Sequence, residues 1–430
     1  MYADRRPSPK VQEAKQLYSD IKIIVDAHIV TVENRQLFED LSGYKFVLAI
    51  EKEGKCLKRE VLKVCAAAGE CAVVPYKHGL DGEAFGEYTV TVTASLLKDR
   101  LYAPAGHEVT FGQKVICIED AADEPALSSS ENNAAENTKC VSEHFRVVRG
   151  DVNIGVYGEH FSAMFSRTEG GIVSLVYDGE EYITRTPKLA FYRALTDNDK
   201  GMGAAGRDHG WFAASMGMNF DGDSFEICET PEAVTVNVTY TSKYPESFTC
   251  GMKYTMTACG ALFMEVTYPG IKGEDYIPLF GIDFKLKKSK EYFKYYGLGP
   301  DENYSDRKCG ARLGVFTGSA KENMADYLIP QECGNREEVR WLEVYGKDLK
   351  GIRFEAEGTP FATSVLPYSA YELENAMHAY ELPKINYTWV RLMAAQTGVG
   401  GDDSWGAPVH EQYKLKASLP MTLKFKISKI

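Results

Sequence analysis

The sequence has no long apolar run, no excess of basic residues and no spacing typical of a metal or redox site. No stretch approaches the roughly 20 consecutive apolar residues that a membrane-spanning helix needs, and the polar residues 1–6 lack the apolar core of a secretion signal. The net charge of −12 leaves no basic stripe that would neutralise nucleic-acid phosphates. We therefore expect a cytoplasmic protein that binds neither membranes nor nucleic acid.

Cysteine and histidine are present but dispersed. The ten cysteines include no Cys-x-x-Cys pair, and the eight histidines include no His-Glu-x-x-His motif. We expect reduced, mostly buried thiols rather than a disulfide framework or a zinc site. The sequence thus predicts no metal and no other cofactor bound wholly by this chain.

The 430 residues suffice for two or three domains. After a loop and a short helix in residues 1–18, short segments with a period of two fill residues 19–118 and predict an immunoglobulin-like β-sandwich. Residues 119–140 are acidic and rich in Ser, Asn and Ala, which is typical of a flexible linker.

Strand patterns resume in residues 141–430 and continue almost to the end. Asp178-Gly179 predicts a hairpin turn, and Ser369 followed by Glu372 predicts the start of the one helix expected in this region. A long run of strands without helical crossovers favours one very large antiparallel sandwich. The fold class expected from the residues is all-β.

The stretch from Ala395 to His410 is a shaped loop, because three glycines stand within four positions at 398–401. It carries Trp405, one of only four tryptophans, beside Asp402, Asp403 and Ser404. In one interpretation the indole packs on the sandwich and the aspartates cap turns. In the other, the loop is a sugar-binding edge, where the indole lies against a pyranose and the carboxylates accept bonds from its hydroxyls.

Acids and arginines recur together elsewhere in the large region. Glu302 is expected to pair with Arg307, and Glu332 with Arg336 and Arg340; such pairs more often tie loops to a scaffold than bind substrate. His378 has either a general acid or base role or a hydrogen-bonded structural role.

Five ordered motifs within residues 141–430, and one stretch near residue 1, carry a resemblance to a known family. The segment GVGGDDSWGAPVH at 398–410 resembles the C-terminal signature of the large bacterial β-galactosidases of glycoside hydrolase family 2. ADRRPSPK at 3–10 is similar to the end of that family's catalytic barrel, so residues 1–18 are interpreted as a barrel stub. The other four motifs, in chain order, are FYRALTDND at 191–199, YGLGPDENYSDR at 296–307, PQECGNREEVRW at 330–341 and LENAMHAYELP at 373–383. Leu195 and Tyr192 stand where the family usually has proline and tryptophan, and Glu338 where it has aspartate.

The resemblance implies a galactose-mutarotase-like supersandwich, the β-galactosidase small chain, at 141–430 and a site role for the loop. Trp405 would form one wall of the galactoside subsite, with Asp402, Asp403 and Ser404 shaping the loop. Hydrolysis of β-D-galactosides such as lactose would be the activity of the assembly.

In the resembled family the catalytic glutamates and the ligands of magnesium belong to the barrel, and no stretch here matches those motifs. The expected Mg and Na would therefore be bound by the missing barrel, and this chain would hold no catalytic residue. It would be inactive alone and oligomeric when assembled with a barrel from the same precursor or from a separate large subunit.

A second hypothesis is a free-standing carbohydrate-binding or aldose-epimerase-like protein. Epimerisation would need a histidine and a glutamate facing each other across a concave surface, and the sequence does not place His378 or His410 there. A third is a fragment that keeps only structural remnants.

Overall fold

The computed structural model describes residues 1–80, 85–118, 143–403 and 405–430. The chain divides into two compact units. The small unit contains the described residues of 9–118 and Cys309–Val315, and the large unit contains those of 1–8, 143–308 and 316–430. The predicted linker at 119–140 and Ser404 lie outside the described residues. The predicted domain boundaries at 18/19 and 140/141 stay predictions.

The small unit is a sandwich of two antiparallel sheets, with strand orders β1-β2-β5 and β4-β3-β6-β7. In β3 the side chains of Phe46, Leu48 and Ile50 are buried while the residues between them are not, as a period of two requires. Burying each of these apolar side chains contributes roughly 1.5–3 kcal/mol. The elements are α1 (Lys10–Leu17), β1 (Ile21–Val25), β2 (Ile29–Asn34), β3 (Tyr44–Lys52), β4 (Lys55–Leu62), β5 (Cys71–Pro75), β6 (Gly86–Leu96) and β7 (Glu108–Ile118), with a 3₁₀ turn at Leu41–Gly43.

The large unit is built on three sheets of antiparallel strands; of β20, whose first residues belong to the small unit, it contains residues 316–319. Their orders are β12-β11-β10-β9-β8, β13-β18-β25-β24-β21 and β14-β15-β16-β17-β26-β23-β22-β19-β20. The strands are β8 (Arg146–Arg149), β9 (Asn153–Tyr157), β10 (Phe161–Ser166), β11 (Gly171–Tyr177), β12 (Glu180–Glu181), β13 (Lys188–Ala190), β14 (Asn219–Glu229), β15 (Ala233–Ser242), β16 (Phe248–Thr257), β17 (Leu262–Tyr268), β18 (Leu279–Lys287), β19 (Tyr292–Gly299), β20 (Arg312–Ser319), β21 (Asn335–Val339), β22 (Trp341–Tyr345), β23 (Gly351–Ala356), β24 (Phe361–Leu366), β25 (Tyr387–Gln396) and β26 (Met421–Lys429). The all-β, antiparallel prediction is confirmed.

One continuous hydrophobic core joins the sheets of the large unit. Phe284 of β18, Phe354 of β23 and Phe425 of β26 meet with ring centroids 5.2–6.3 Å apart. At its other end Phe191, Trp211, Phe248 and Tyr268 form an aromatic cluster. The predicted Asp178-Gly179 turn is confirmed: both residues have positive φ, and Tyr177 pairs with Glu180 across it.

The prediction of a single helix in this region is wrong. The helix after Ser369 is present as α5 (Ala370–Glu374) with its capping box, but three others precede it: α2 (Asp197–Gly201), α3 (Ala204–Arg207) and α4 (His209–Gly217). They are short, so none shows a sustained helical period. A capping box between Thr196 and Asp199 was the available signal. Single 3₁₀ turns lie at Ala379–Glu381 and Glu411–Tyr413.

The cysteines also differ from expectation. Six of the eight described free thiols are exposed, and only those of Cys250 and Cys333 are buried. Cys259 is the one described cysteine that is disulfide-bonded. Among the described cysteines the prediction of reduced thiols is therefore confirmed for eight and wrong for Cys259, and the prediction that they are mostly buried is wrong. No helix among the described residues is long and apolar enough to cross a membrane.

Candidate functional site: the Trp405 loop

The loop that follows β25 is anchored where it leaves the sheet. The backbone N–H of Thr397 donates to the carbonyl of Pro278 at 2.9 Å, and its hydroxyl donates to the carbonyl of Ile277 at 2.8 Å. The same hydroxyl oxygen accepts a bond from the N–H of Leu415 at 3.0 Å. The side chain of Thr397 is 1% exposed. The loop therefore starts from a fixed, dry position.

Arg193 fixes the next two residues of the loop from within the core. Its guanidinium donates to the carbonyls of Thr397 and Gly398, the second at 2.8 Å, and donates two bonds to Asp199 at 3.1 and 2.9 Å. Both side chains are almost fully buried. Burial opposes the charge on Arg193, but Asp199, together with Glu332 and Tyr304, outweighs burial and raises the pKa of the guanidinium above its usual value. Arg193 thus stays charged while it holds the loop.

Asp306 also binds the loop. One carboxylate oxygen accepts bonds from the N–H groups of Val399 and Gly400, both at 2.8 Å. A Cβ at position 398 would lie 2.6 Å from that oxygen, so glycine is required for the carboxylate to approach this closely. Charged acceptors form stronger bonds to backbone N–H groups than neutral ones do.

The conformation of the loop tip depends on the side chain of Asp403 and on two glycines, Gly401 and Gly406. Asp403 accepts bonds from the N–H groups of Trp405 and Ala407 at 2.8 and 3.0 Å. These bonds, that of Ala407 first, hold the pKa of the Asp403 carboxyl below its usual value. At Gly401 a Cβ would lie 2.1 Å from the Ala407 carbonyl, and Gly406 has φ of 118° with a Cβ position 2.4 Å from the Gly201 carbonyl. Only glycine fits at both places.

The indole of Trp405 projects from this fixed frame and is 86% exposed. The three other predicted site residues differ in position. Asp402 points away from the turn and lies 2.8 Å from Nε2 of His410, Asp403 faces the turn, and Ser404 lies outside the described residues. The arrangement provides a rigid aromatic face that is open on one side.

We expect Asp306→Ala to loosen the loop without unfolding the large unit. Losing two bonds to a charged acceptor should raise hydrogen exchange at Val399 and Gly400 by roughly 10- to 100-fold. Hydrogen exchange measured on peptides that contain these residues tests this. Asp402→Ala is the matched control, since its only hydrogen-bond partner among the described residues is His410. Equal exchange rates in both variants would show that Asp306 does not hold the loop.

The other polar motifs serve the scaffold. Glu302 accepts bonds from Arg307, the Tyr327 hydroxyl and the Gly334 N–H at 2.6, 2.6 and 2.7 Å, which confirms the predicted Glu302–Arg307 pair. The predicted pairing of Glu332 with Arg336 and Arg340 is wrong, because the charged neighbour of Glu332 is Arg391 at 3.9 Å.

His378 lies in an exposed turn and is accounted for locally. Its Nδ1 is 3.0 Å from Glu381, and its ring stacks on Tyr380 with centroids 5.0 Å apart. Among the described residues, no group of three or more His, Cys, Asp or Glu side chains is arranged to hold a metal ion.

Sequence reasoning placed the loop but missed Arg193 and Asp306, which hold it. Both residues lie in quoted motifs, yet they are separated from the loop by 204 and 93 positions along the chain. Their partners are backbone groups, which every residue possesses. No local pattern therefore identified the pairing.

Comparisons with known proteins agree with the motifs. Residues 157–427 match the family described as beta galactosidase small chain, and residues 30–116 match the family described as beta-galactosidase domain 4. A beta-galactosidase of Halalkalibacterium halodurans is 39% identical over 436 residues, covering 100% of this chain and 41% of that protein. A beta-galactosidase small subunit of Latilactobacillus sakei is 34% identical over 315 residues, covering 67% of this chain and 98% of the subunit.

Among solved structures, a galactose mutarotase-like protein of Lactobacillus casei aligns with a TM-score of 0.35 and 14% identity, covering 66% of this chain and 100% of that one. The chain spans about two fifths of the length of the full-length β-galactosidases that it matches. The match to the small-chain family extends over more than half of the sequence. The chain belongs to the β-galactosidase small-chain family.

Proposed function

We propose that this chain is the C-terminal part of a β-galactosidase and contributes the Trp405 loop to a galactoside site. The remainder of the site, with the catalytic carboxylates and the expected Mg and Na, belongs in this proposal to a barrel on the same polypeptide or on a separate large subunit. The assembly hydrolyses terminal β-D-galactose residues, as in lactose. The isolated chain is inactive.

The observation that carries the proposal is the exposed indole on an immobilised loop. Trp405 is 86% exposed, while Arg193 and Asp306 fix the backbone on which it stands. An indole face complements the apolar face of a pyranose, and a fixed loop avoids the entropy cost of ordering it on binding. The length of the full-length relatives supports a further segment that completes the site.

The carboxylates nearest the indole already have structural partners. Asp403 closes the loop turn and Asp402 pairs with His410. The adjacent acids Glu180 and Glu181 are also engaged, with Lys290 at 2.8 Å and with the Leu175 N–H at 2.8 Å. A retaining glycosidase needs two carboxyls about 5 Å apart, one of them protonated. These acids are suited to fixing structure, which supports assigning the chemistry to the barrel.

Complementation tests the proposal. The chain is mixed with a separately produced catalytic barrel of a family relative, and hydrolysis of a chromogenic β-galactoside is followed. We expect activity only in the mixture. Trp405→Ala should lower kcat/KM of the mixture by roughly 10- to 100-fold, the loss expected when about 1.5–3 kcal/mol of aromatic burial is removed.

Two variants separate stacking from assembly in that experiment. Trp405→Phe keeps an aromatic face and should retain most of the activity, while Phe38→Ala removes an exposed ring of the small unit that is 91% exposed and should change nothing. Hydrolysis by the chain alone would contradict the proposal. So would a mixture whose kcat/KM is the same with Ala or Trp at position 405.

The epimerase-like alternative is not favoured by the site geometry. His378 and His410 each pair with a carboxylate of their own loop. Mutarotation of galactose by the purified chain would support the epimerase-like function instead.

A further inference from the structure

A second candidate site lies on the β13-β18-β25-β24-β21 sheet of the large unit. Asp283 of β18 stands opposite Arg391 of β25, and Lys285 stands opposite Trp389. Residues that alternate with them, such as Phe284, are buried in the core, so these polar side chains share the other face of the sheet. Together with residues of α4 and α5 they line a cleft of about 380 Å³, which is within the usual size range of small-ligand sites.

Arg185 in this cleft has a planar, charged group without an acceptor. Its Cζ lies 4.7 Å from the centroid of the Trp389 ring. Its Nε is buried without a hydrogen-bond partner, and no hydrogen bond or ion pair joins its guanidinium to another described residue. Burial lowers the pKa of Arg185, against the smaller opposing effects of Asp283 and Glu372. Leaving the buried Nε–H donor unsatisfied is costly, and the guanidinium has four further N–H donors that could bind a ligand.

The carboxylates of the cleft are already bound elsewhere. Asp283 accepts two bonds from Arg391 at 2.7 and 2.9 Å, and Glu372 accepts from the N–H and hydroxyl of Ser369, both at 2.8 Å. Neither carboxylate forms a hydrogen bond or ion pair with Arg185 in the described chain, although the charges of both act on its pKa.

Two more cations stand at the cleft, and neither forms an ion pair with a carboxylate in the part of the chain that the structure describes. Lys188 and Lys285 line it, and Lys285 Nζ lies 3.6 Å from the Tyr387 ring centroid and 5.4 Å from that of Trp389. Burial, and next the charge of Arg185, lowers the pKa of Lys285. The cleft thus presents positive charge in a protein whose net charge is −12.

Aromatic side chains form another part of the wall. Phe212 of α4 stacks on Tyr371 of α5 with centroids 6.2 Å apart and an interplanar angle of 26°, and Tyr192 meets Phe212 edge-on at 5.0 Å. Aromatic faces beside charged donors are the usual composition of a site for a sugar ring with a polar substituent.

We propose that this cleft binds a monosaccharide that carries a phosphate or carboxylate group. Arg185 and Lys285 contact the anionic group, and the Tyr371–Phe212 wall contacts the sugar ring. The site consists of residues of the large unit other than those of the Trp405 loop, so it does not depend on the function proposed for that loop.

Isothermal titration of the purified chain tests the proposal with four probes: galactose 6-phosphate, galacturonate, galactose and inorganic phosphate. We expect the two anionic sugars to bind more tightly than either galactose or phosphate. Arg185→Met should weaken their binding by about tenfold or more, as loss of hydrogen bonds to a charged group does. Arg149→Met, which removes an exposed arginine paired with Glu229, is the matched control.

Two further variants test the cleft independently of Arg185. If Arg185→Met fails to fold, Lys285→Met should weaken binding of the anionic sugars in the same way. Trp405→Ala should leave the affinity of the chain for these sugars unchanged. Absence of binding by the unmodified chain at millimolar ligand, or binding that neither cleft variant weakens, would overturn the proposal. Inorganic phosphate that binds as tightly as galactose 6-phosphate would overturn the assignment to a saccharide.

Discussion

Replacing Arg193 by methionine is expected to lower the free energy of unfolding of the large unit by about 3–5 kcal/mol. The variant leaves the buried carboxylate of Asp199 without its cationic partner and leaves the carbonyls of Thr397 and Gly398 without their donors. Removing one partner of a buried pair costs more than the pair itself contributes, because the remaining charge stays desolvated.

Denaturant unfolding followed by tryptophan fluorescence measures this effect. All four tryptophans, at 211, 341, 389 and 405, lie in the large unit, so the signal reports that unit. Lys429→Met, which breaks the exposed ion pair with Asp178, is the control and should leave the midpoint unchanged. Arg193→Met combined with Asp199→Asn should recover part of the loss. An Arg193→Met midpoint equal to that of the control would contradict the buried-pair account.

Replacing Glu332 by glutamine is expected to stabilise the large unit at pH 8 by about 3 kcal/mol and to have little effect at pH 4. Glu332 is 4% exposed, and one of its carboxylate oxygens is buried without a hydrogen-bond partner in the described chain. Burial raises the pKa of its carboxyl from 4.5 to about 7, although Arg391 and Arg193 act in the opposite direction. Each factor of ten in the ionisation constant corresponds to about 1.4 kcal/mol.

The direction of the pH dependence follows from where the proton binds more tightly. Between pH 4.5 and about 7 the folded protein holds the Glu332 proton and the unfolded chain has lost it, so the contribution of Glu332 to stability falls as pH rises through this range. Glutamine is neutral throughout and removes this loss. The difference in unfolding free energy between the Glu332→Gln variant and the unmodified protein should therefore grow as pH rises from 4.5, in favour of the variant. Above about pH 7 this difference should stay constant.

Glu302→Gln provides the matched comparison for a buried glutamate with satisfied oxygens. Glu302 accepts three bonds, from Arg307, Tyr327 and Gly334. Its replacement should destabilise the protein at pH 8, where Glu332→Gln stabilises it. If the Glu332→Gln variant is less stable than the unmodified protein at pH 8, the prediction is contradicted. The nearby arginines would then stabilise the charged carboxylate of Glu332.

The strands and turns of this fold were accessible from the sequence because they are encoded locally. Alternation in Tyr44–Lys52, the Asp178-Gly179 pair and the capping box at Ser369 each involve residues a few positions apart. The short helices α2 to α4 were not predicted, because helices of four to nine residues are too short to show a clear helical period in the sequence.

The loop was accessible from its glycines and its tryptophan, and the family resemblance gave it a function. Its supports were not accessible, because Arg193 and Asp306 bind backbone groups that carry no sequence signal. The charged neighbour of Glu332 was not accessible for a similar reason: Arg336 and Arg340 are near it in sequence, whereas Arg391, which lies 3.9 Å away, is distant along the chain. The roles of Trp405, Asp402, Asp403 and Ser404 in substrate binding stay predictions.

The central claim is that Trp405 contacts the galactoside when the assembly is complete. Fluorine NMR of the chain labelled with 5-fluorotryptophan tests it most directly, with four resonances and the Trp405 signal assigned by Trp405→Phe. A non-hydrolysable thiogalactoside should shift the Trp405 resonance in the mixture with the barrel and leave it unchanged in the chain alone. A Trp405 signal that stays in place while the thiogalactoside inhibits the active mixture would contradict the claim.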